Sequence, residues 1–418
     1  MTPRLWAACT LGVLVVALVG YAAVVIPWHR PPAPRPDQLA ALGELPADQV
    51  TRAREFHAAL RPGAYGGLAI GLVGALLLGL TPLGSRLVAW AGRPFGDHWI
   101  AQALLGGLLV VLAAEILTLP FAAWRHTVVV RYGISTQTWG AWWIDVAKSF
   151  AVGAVIGAVA LLGFFTVTRL APRWWWAFGA VGAAALMVLL SFVLPVVVEP
   201  IFNRFTPMAA GPLRTELMEL AARDGVPVKD VLVADASRRT RAVNAYVSGF
   251  GPTRRIVVYD TMLTEATPAE VVSVAAHELG HAERGDVLTG TILGALGAAA
   301  SVIALYLLGS LGWLLRWAGV DTMGEPRAIA LLLALVTLAG LASGPLQALV
   351  SRRVEARADA HALALTGDPA AFEAMQRRLG GVNLSDPDPP AWEYLMSASH
   401  PSTVERIAAA RAHARGER

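Results

Sequence analysis

The chain has 418 residues, 56% of them hydrophobic and only 15% charged, with a formal net charge of +4 carried almost entirely by arginine. Soluble domains are about a quarter charged, so this composition excludes an ordinary soluble enzyme, and the small positive balance suits anionic lipid headgroups rather than nucleic acid. One cysteine, Cys9, leaves no partner for an intramolecular disulfide.

Seven apolar runs reach or approach the ~20 residues that cross a bilayer. They cover 5–26, 65–83, 99–123, 150–167, 174–198, 287–315 and 328–350. The first has a short basic start but no clear small-residue cleavage site, and so reads as a crossing (1–26) rather than a signal peptide. Residues 27–64 follow, beginning PWHRPPAPRP and ending TRAREFHAALRPG. The first part predicts a stiff linker and the second a helix on the membrane surface.

Within the next four crossings (65–198), Glu115 stands out. A carboxyl in hydrocarbon is costly, so it faces a water-filled space or bonds to a neighbouring helix. The Gly153–Gly157 spacing permits close helix packing.

Residues 199–286 form the main polar insertion. A helix is predicted from Pro212 to Gly225, then three short strand-like runs, DVLVAD, VNAYVSGF and RRIVVYD. Next comes a helix announced by Thr267-Pro268-Ala269-Glu270, with a capping threonine, a proline in the first turn and a capping-box glutamate. It carries HELGH. His277 and His281, four apart, share one helix face and can hold one zinc ion, and Glu278 can take a proton from the water such an ion activates. Two histidines under-coordinate zinc, so a third protein ligand is required.

After two more crossings (287–350), residues 351–418 open with SRRVEARADAHAL. Glu355 and Asp359 share a face there. Glu355 would complete a two-His, one-Glu site and Asp359 would hydrogen-bond a ligand histidine. Equally, both could pair with Arg352, Arg353 or Arg357 along the helix. Two crossings separate His281 from Glu355, which returns both to one side of the membrane.

The stretches EPIFNRFTPM (199–208), AVNAYVSGFGPTRRIVVYDTML (242–263), HELGH, RRVEARAD (352–359) and SHPSTVERI (399–407) occur in that order, preceded by RYGISTQTWGAWWIDVAKS. Together they resemble the integral-membrane CAAX prenyl endopeptidases from about residue 50 to the end. After HELGH the chain reads AERGDV, a departure from the eukaryotic members. The resemblance implies seven transmembrane helices around a chamber with a small α+β zincin-type catalytic domain. Glu115 would sit in the chamber wall. It implies one zinc per chain on His277, His281 and Glu355, with Glu278 as general base and Asp359 behind the ligands. His400 would stabilise the oxyanion, and Asn244 would line a cleft where a peptide adds as a strand. Taken alone, His400 could equally cap a helix before Pro401, and Asn244 could be a turn or edge asparagine. Arg406 reads as a structural partner for a carboxylate, with substrate contact as the other possibility.

The expected activity is therefore zinc-dependent cleavage of peptide bonds in membrane-associated proteins or peptides. The alternatives are a heat-shock-type quality-control protease or a non-catalytic receptor or scaffold with a structural zinc site. Five crossings before HELGH argue against the first, and an intact Glu278 against the second. Short cytoplasmic loops collect positive charge. Arg30, Arg35, Arg52, Arg54, Arg61, Arg125, Arg131 and Lys148 lie at the odd-numbered connections. Arg4, Arg86, Arg93, Arg169, Arg173, Arg316 and Arg327 lie on the other side. The catalytic insertion is thus expected to face the cytoplasm from the cell membrane.

Overall fold

A computed structural model describes residues 2–30 and 32–417. Among the described residues, seven helices are long and apolar enough to span a bilayer: Pro3–Val25, Ala47–Gly79, Trp99–Arg131, Trp139–Leu170, Trp175–Phe202, Asp286–Leu308 and Pro326–Thr366. Each covers most of one of the predicted runs, and several overshoot it at one end by many residues; the run at 65–83 stops at Gly79, with its last residues starting a separate helix, Pro82–Gly92. The run at 287–315 is instead divided: the sixth membrane helix stops at Leu308 and a separate short helix covers Gly312–Ala318. The largest correction concerns 27–64. A short helix, Arg35–Gly43, follows the prolines, but residues 47–64 are the first turns of the second membrane helix and not a separate surface helix. The physical reason is continuity. Pro62 leaves the 33-residue helix unbroken, so the arginine-bearing stretch continues the membrane helix instead of forming a helix of its own.

The second to seventh membrane helices pack as a closed ring, each against the next in chain order and the seventh back against the second, while the first lies outside against the sixth. In the most apolar window of each helix at most 28% of residues are buried. So little burial leaves most of each helix surface facing lipid or the inside of the ring. Glu115 is exposed and makes no side-chain hydrogen bond among the described residues, which removes the helix-to-helix hydrogen bond from consideration. At one end the ring is plugged by a hydrophobic cluster that includes Val88, Phe165, Trp175, Ile303 and Leu331.

The other end carries the catalytic half. Its four-stranded sheet comprises β1 (Phe205–Pro207), β2 (Asp230–Ala234), β3 (Ala245–Ser248) and β4 (Arg255–Tyr259) in the order β1-β2-β4-β3. β2 and β4 are parallel, and the outer pairs are antiparallel. β2, β3 and β4 arise from the three predicted runs. β1 was not foreseen, because three residues ending in proline carry almost no alternation to read. The sheet packs on the HELGH helix, Pro268–Arg284, through a core containing Leu217, Ile256, Met262, Leu279 and Phe372. The connection after the third membrane helix joins this half through backbone bonds between Thr136 and Arg239 and between Arg241 and Ile134.

Candidate active site

The HELGH helix begins as its sequence requires. Thr267 and Glu270 form a reciprocal capping box, Pro268 occupies the first turn, and the helix stops at Gly285 in the left-handed region (φ 65°). Glu270 also receives both a Thr267 N–H at 2.7 Å and Arg378 Nε at 3.0 Å, which ties the start of this helix to the C-terminal region.

The extension of the seventh membrane helix crosses it closely. A Cβ on Gly280 would sit 3.0 Å from the His361 side chain, so the glycine inside HELGH is what allows the approach. His361 is in turn held by Asp224 at 2.8 Å. This crossing brings Glu355 to the histidines. One donor atom each from His277, His281 and Glu355 falls within a 4.8 Å group.

The details fit a metal. His277 Nδ1 lies 2.8 Å from Asp359 Oδ1, and His281 Nδ1 lies 2.8 Å from Asp286 Oδ2. With each Nδ1–H donated to a carboxylate, both Nε2 atoms present lone pairs, yet they stand 3.1 Å apart. Glu355 Oε2 is buried without a hydrogen bond and lies 3.2 Å from His277 Nε2. The 3.1 and 3.2 Å separations that meet at His277 Nε2 are close to the edge of a tetrahedron around an ion with bonds of ~2.0–2.1 Å. Charge agrees. Glu278, Glu355, Asp359 and Asp286 are opposed by Arg406 on Asp359 and Arg357 on Asp286, leaving two negative charges for a divalent cation. In the metal-free protein, burial works against a charged His277 ring. The negative carboxylates of Asp359 and Glu355 beside it overcome this and raise the pKa to about 10, so the ring sits where positive charge is favoured. Burial raises the pKa of Glu278, opposed by the adjacent histidines.

Glu355 and Asp359 therefore do not pair with Arg352, Arg353 or Arg357. Arg406 is the ion-pair partner of Asp359, with Nε at 2.9 Å from Oδ2. His400 does not cap a helix, because Ser402 does so with Glu405. Its Nε2 stands 3.4 Å from Glu355 Oε2, and 59% of its side chain is open to the cleft. Asn244 immediately precedes β3, the edge strand, and its side chain is exposed. A cleft of about 980 Å³ brings Asn244, His277, Glu278, His400 and Arg406 to one space, walled on another side by Arg61 and Arg125 of the second and third membrane helices.

Sequence reasoning missed Asp286 and Arg352. Asp286 lies in the AERGDV stretch, one residue past the glycine that ends the helix, so it folds back onto His281. Arg352 is buried and donates to the carbonyls of Tyr394 and Ala398 at 2.8 and 2.6 Å, bracing the segment that leads to His400. Its only signal was an arginine directly after an apolar run.

Fold and site together define a membrane-embedded metallopeptidase. Residues 207–414 match the model of peptidase family M48, and residues 47–204 match that of the CAAX prenyl protease N-terminal region with five membrane helices. Four of the long helices lie within that second match, and Pro3–Val25 lies before it. The chain is 32% identical to a CAAX prenyl protease 1 homolog of Arabidopsis thaliana over 72% of its own length and 71% of that protein. It is 30% identical to an uncharacterized metalloprotease, YhfN, of Bacillus subtilis over 71% and 70%. The crystal structure of S. mikatae Ste24p superposes with a TM-score of 0.76 at 21% identity over 97% of both chains. The chain belongs to peptidase family M48 and is a membrane metalloendopeptidase of the CAAX prenyl protease type.

Proposed function

We propose that the metal is zinc, one ion per chain, and that the enzyme cleaves peptide bonds in membrane-associated proteins or peptides. The observation carrying this reading is the convergence of His277 Nε2, His281 Nε2 and a Glu355 oxygen beside Glu278 at the floor of a cleft large enough for a peptide. His277, His281 and Glu355 would hold the ion, which when bound supplies a Lewis acid for the scissile carbonyl and acidifies a water. Glu278 takes a proton from the attacking water and returns it to the leaving amine. Its partial burial makes it a stronger base than an exposed carboxylate. His400 donates toward the carbonyl oxygen as charge develops there. Asp359 and Asp286 keep the ligand imidazoles in the tautomer that presents Nε2, and Arg406 holds Asp359 in place. The substrate backbone pairs with the outer edge of β3 and passes Asn244.

The same reading places 199–286 and 351–418 as two parts of one catalytic unit, joined through the 287–350 membrane pair. That unit is assigned to the cytoplasmic face of the cell membrane by the arginine distribution. CAAX prenyl protease relatives suggest prenylated proteins among the substrates.

The test is Glu278→Gln in the purified full-length protein. Metal content should match wild type while hydrolysis falls about 10²- to 10⁴-fold. Activity above a tenth of wild type refutes the base assignment.

A further inference from the structure

Behind the catalytic cleft lies a second cavity of about 570 Å³. Its walls include Leu349, Leu363 and Leu395, and four arginines, Arg30, Arg352, Arg353 and Arg406. Several arginines in this half find carboxylates: Arg357 on Asp286, Arg406 on Asp359, Arg411 on Glu44 and Glu373. Arg30, Arg352 and Arg353 form no ion pair among the described residues. Arg352 is spent partly on the Tyr394 and Ala398 carbonyls and stacks on the Tyr394 ring at 4.5 Å. Arg353 donates to the Arg30 carbonyl. The cavity's own carboxylates are already committed, Asp359 to Arg406 and His277, and Glu405 to the Tyr394 hydroxyl at 2.5 Å. An apolar cavity lined by four arginines against two carboxylates, Asp359 and Glu405, is complementary to an amphiphile with a negative head.

Its position names the amphiphile. The seventh apolar run ends at Val350, and Arg352 and Arg353 follow at once. The first membrane helix ends at Val25, whose carbonyl takes Arg357 Nη1 at 3.2 Å, and Trp28 and Arg30 come just after. Tryptophan and arginine in these places mark the depth where hydrocarbon meets headgroups. Leu346, 60% exposed, lies one turn back from Leu349 along the same helix, toward the bilayer.

We propose that this cavity binds the headgroup of an anionic phospholipid, with its phosphodiester on Arg30, Arg352 and Arg353 and its acyl chains descending past Leu349 and Leu346. The site also touches the catalytic machinery. Arg406, Tyr394 and Pro401 line both cavities, and Arg352 braces the segment ahead of His400. An occupied headgroup site therefore steadies residues 394–402.

The experiment uses the full-length protein in uncharged detergent. Short-chain phosphatidylglycerol, phosphatidylcholine of equal chain length and inorganic phosphate are titrated separately, with binding read by native mass spectrometry. Phosphatidylglycerol should bind at one site at least tenfold more tightly than phosphatidylcholine. Arg30→Ala and Arg353→Ala should each weaken it about fivefold, and Arg353→Lys should retain most of the affinity. Thermal unfolding of each variant confirms that the fold is intact. Equal affinity for the two lipids, or wild-type affinity in the Arg30→Ala/Arg353→Ala double variant, overturns the proposal. Phosphate binding as tightly as phosphatidylglycerol would make this a free-anion site and also overturns it. Amide exchange over 394–402 should slow on adding phosphatidylglycerol to wild type and not to the double variant. Unchanged exchange in wild type overturns the link to His400. None of these readouts depends on peptide hydrolysis, so failure here is separable from failure of the zinc-peptidase reading.

Discussion

Asp359→Asn separates the two jobs given to Asp359, orienting His277 and neutralising Arg406. Asp359 is 4% exposed, with Oδ1 at 2.8 Å from His277 Nδ1 and Oδ2 at 2.9 Å from Arg406 Nε. Asparagine keeps one acceptor oxygen and turns the other position into a donor. With its oxygen at the Oδ1 position it can still accept from His277 Nδ1 and Arg406 Nη2, but its amide nitrogen then meets Arg406 Nε, and the neutral group no longer offsets the arginine's charge or polarises the ligand imidazole. Loss of a carboxylate behind a ligand histidine costs about 10- to 100-fold in metal affinity, or roughly 1.4–2.8 kcal/mol. Stranding the Arg406 charge costs more, about 3–5 kcal/mol for a buried pair broken on one side. Stability should thus fall further than metal affinity. Zinc affinity is measured by competition with a chromophoric chelator, and stability by thermal unfolding of the metal-free protein in detergent. In Asp359→Asn/Arg406→Met the stranded charge is gone, so Tm should recover by more than half while zinc affinity stays low. Zinc affinity within twofold of wild type in the single variant would refute the orienting role. A double variant no more stable than the single would refute the stranded-charge account.

Other perturbations probe other parts of the site. Glu355→Ala should lower zinc occupancy as well as activity, read by metal analysis of the purified protein; unchanged metal content would place the third ligand elsewhere. Gly280→Ala should push the seventh-helix extension away by a few tenths of an ångström, because its Cβ meets His361 at 3.0 Å. Zinc affinity should drop several-fold and partly recover when His361→Ala makes room. Arg411 holds the pKa values of Glu373 and Glu44 below the usual range. Depressed carboxylate values mean stabilisation that is complete above about pH 4.3 and is lost as pH falls through the folded values. Protease susceptibility of the Arg35–Gly43 helix should therefore rise on acidification from pH 6 to 3.5, and Arg411→Met should flatten that dependence. For orientation, Ala210 and Asp321 are exposed and suit labelling. In a Cys9→Ser background on intact cells, an impermeant thiol reagent should label Asp321→Cys and spare Ala210→Cys; the reverse pattern inverts the topology.

By itself the sequence determined the features that are local or periodic. A run of about twenty apolar residues has few destinations other than a bilayer, and HELGH with a capping box specifies both a helix and the face its histidines share. The order of HELGH, RRVEARAD and SHPSTVERI likewise carried the family, since several short motifs in one sequence are more specific than any of them alone. What it left open was whichever residue's partner lay far along the chain. Glu355 had three arginines within helical reach, and only the close crossing at Gly280 turned it toward His277 and away from them. His400 sat beside a proline and a helix start, and only the Arg352 brace and the Ser402 cap put its ring in the cleft. Asp286 and β1 had no signal to read, one because its partner is reached by a turn past a helix end, the other because three residues have no period. Pairwise electrostatics and steric fit across hundreds of residues decide such positions, and those are properties of the folded arrangement.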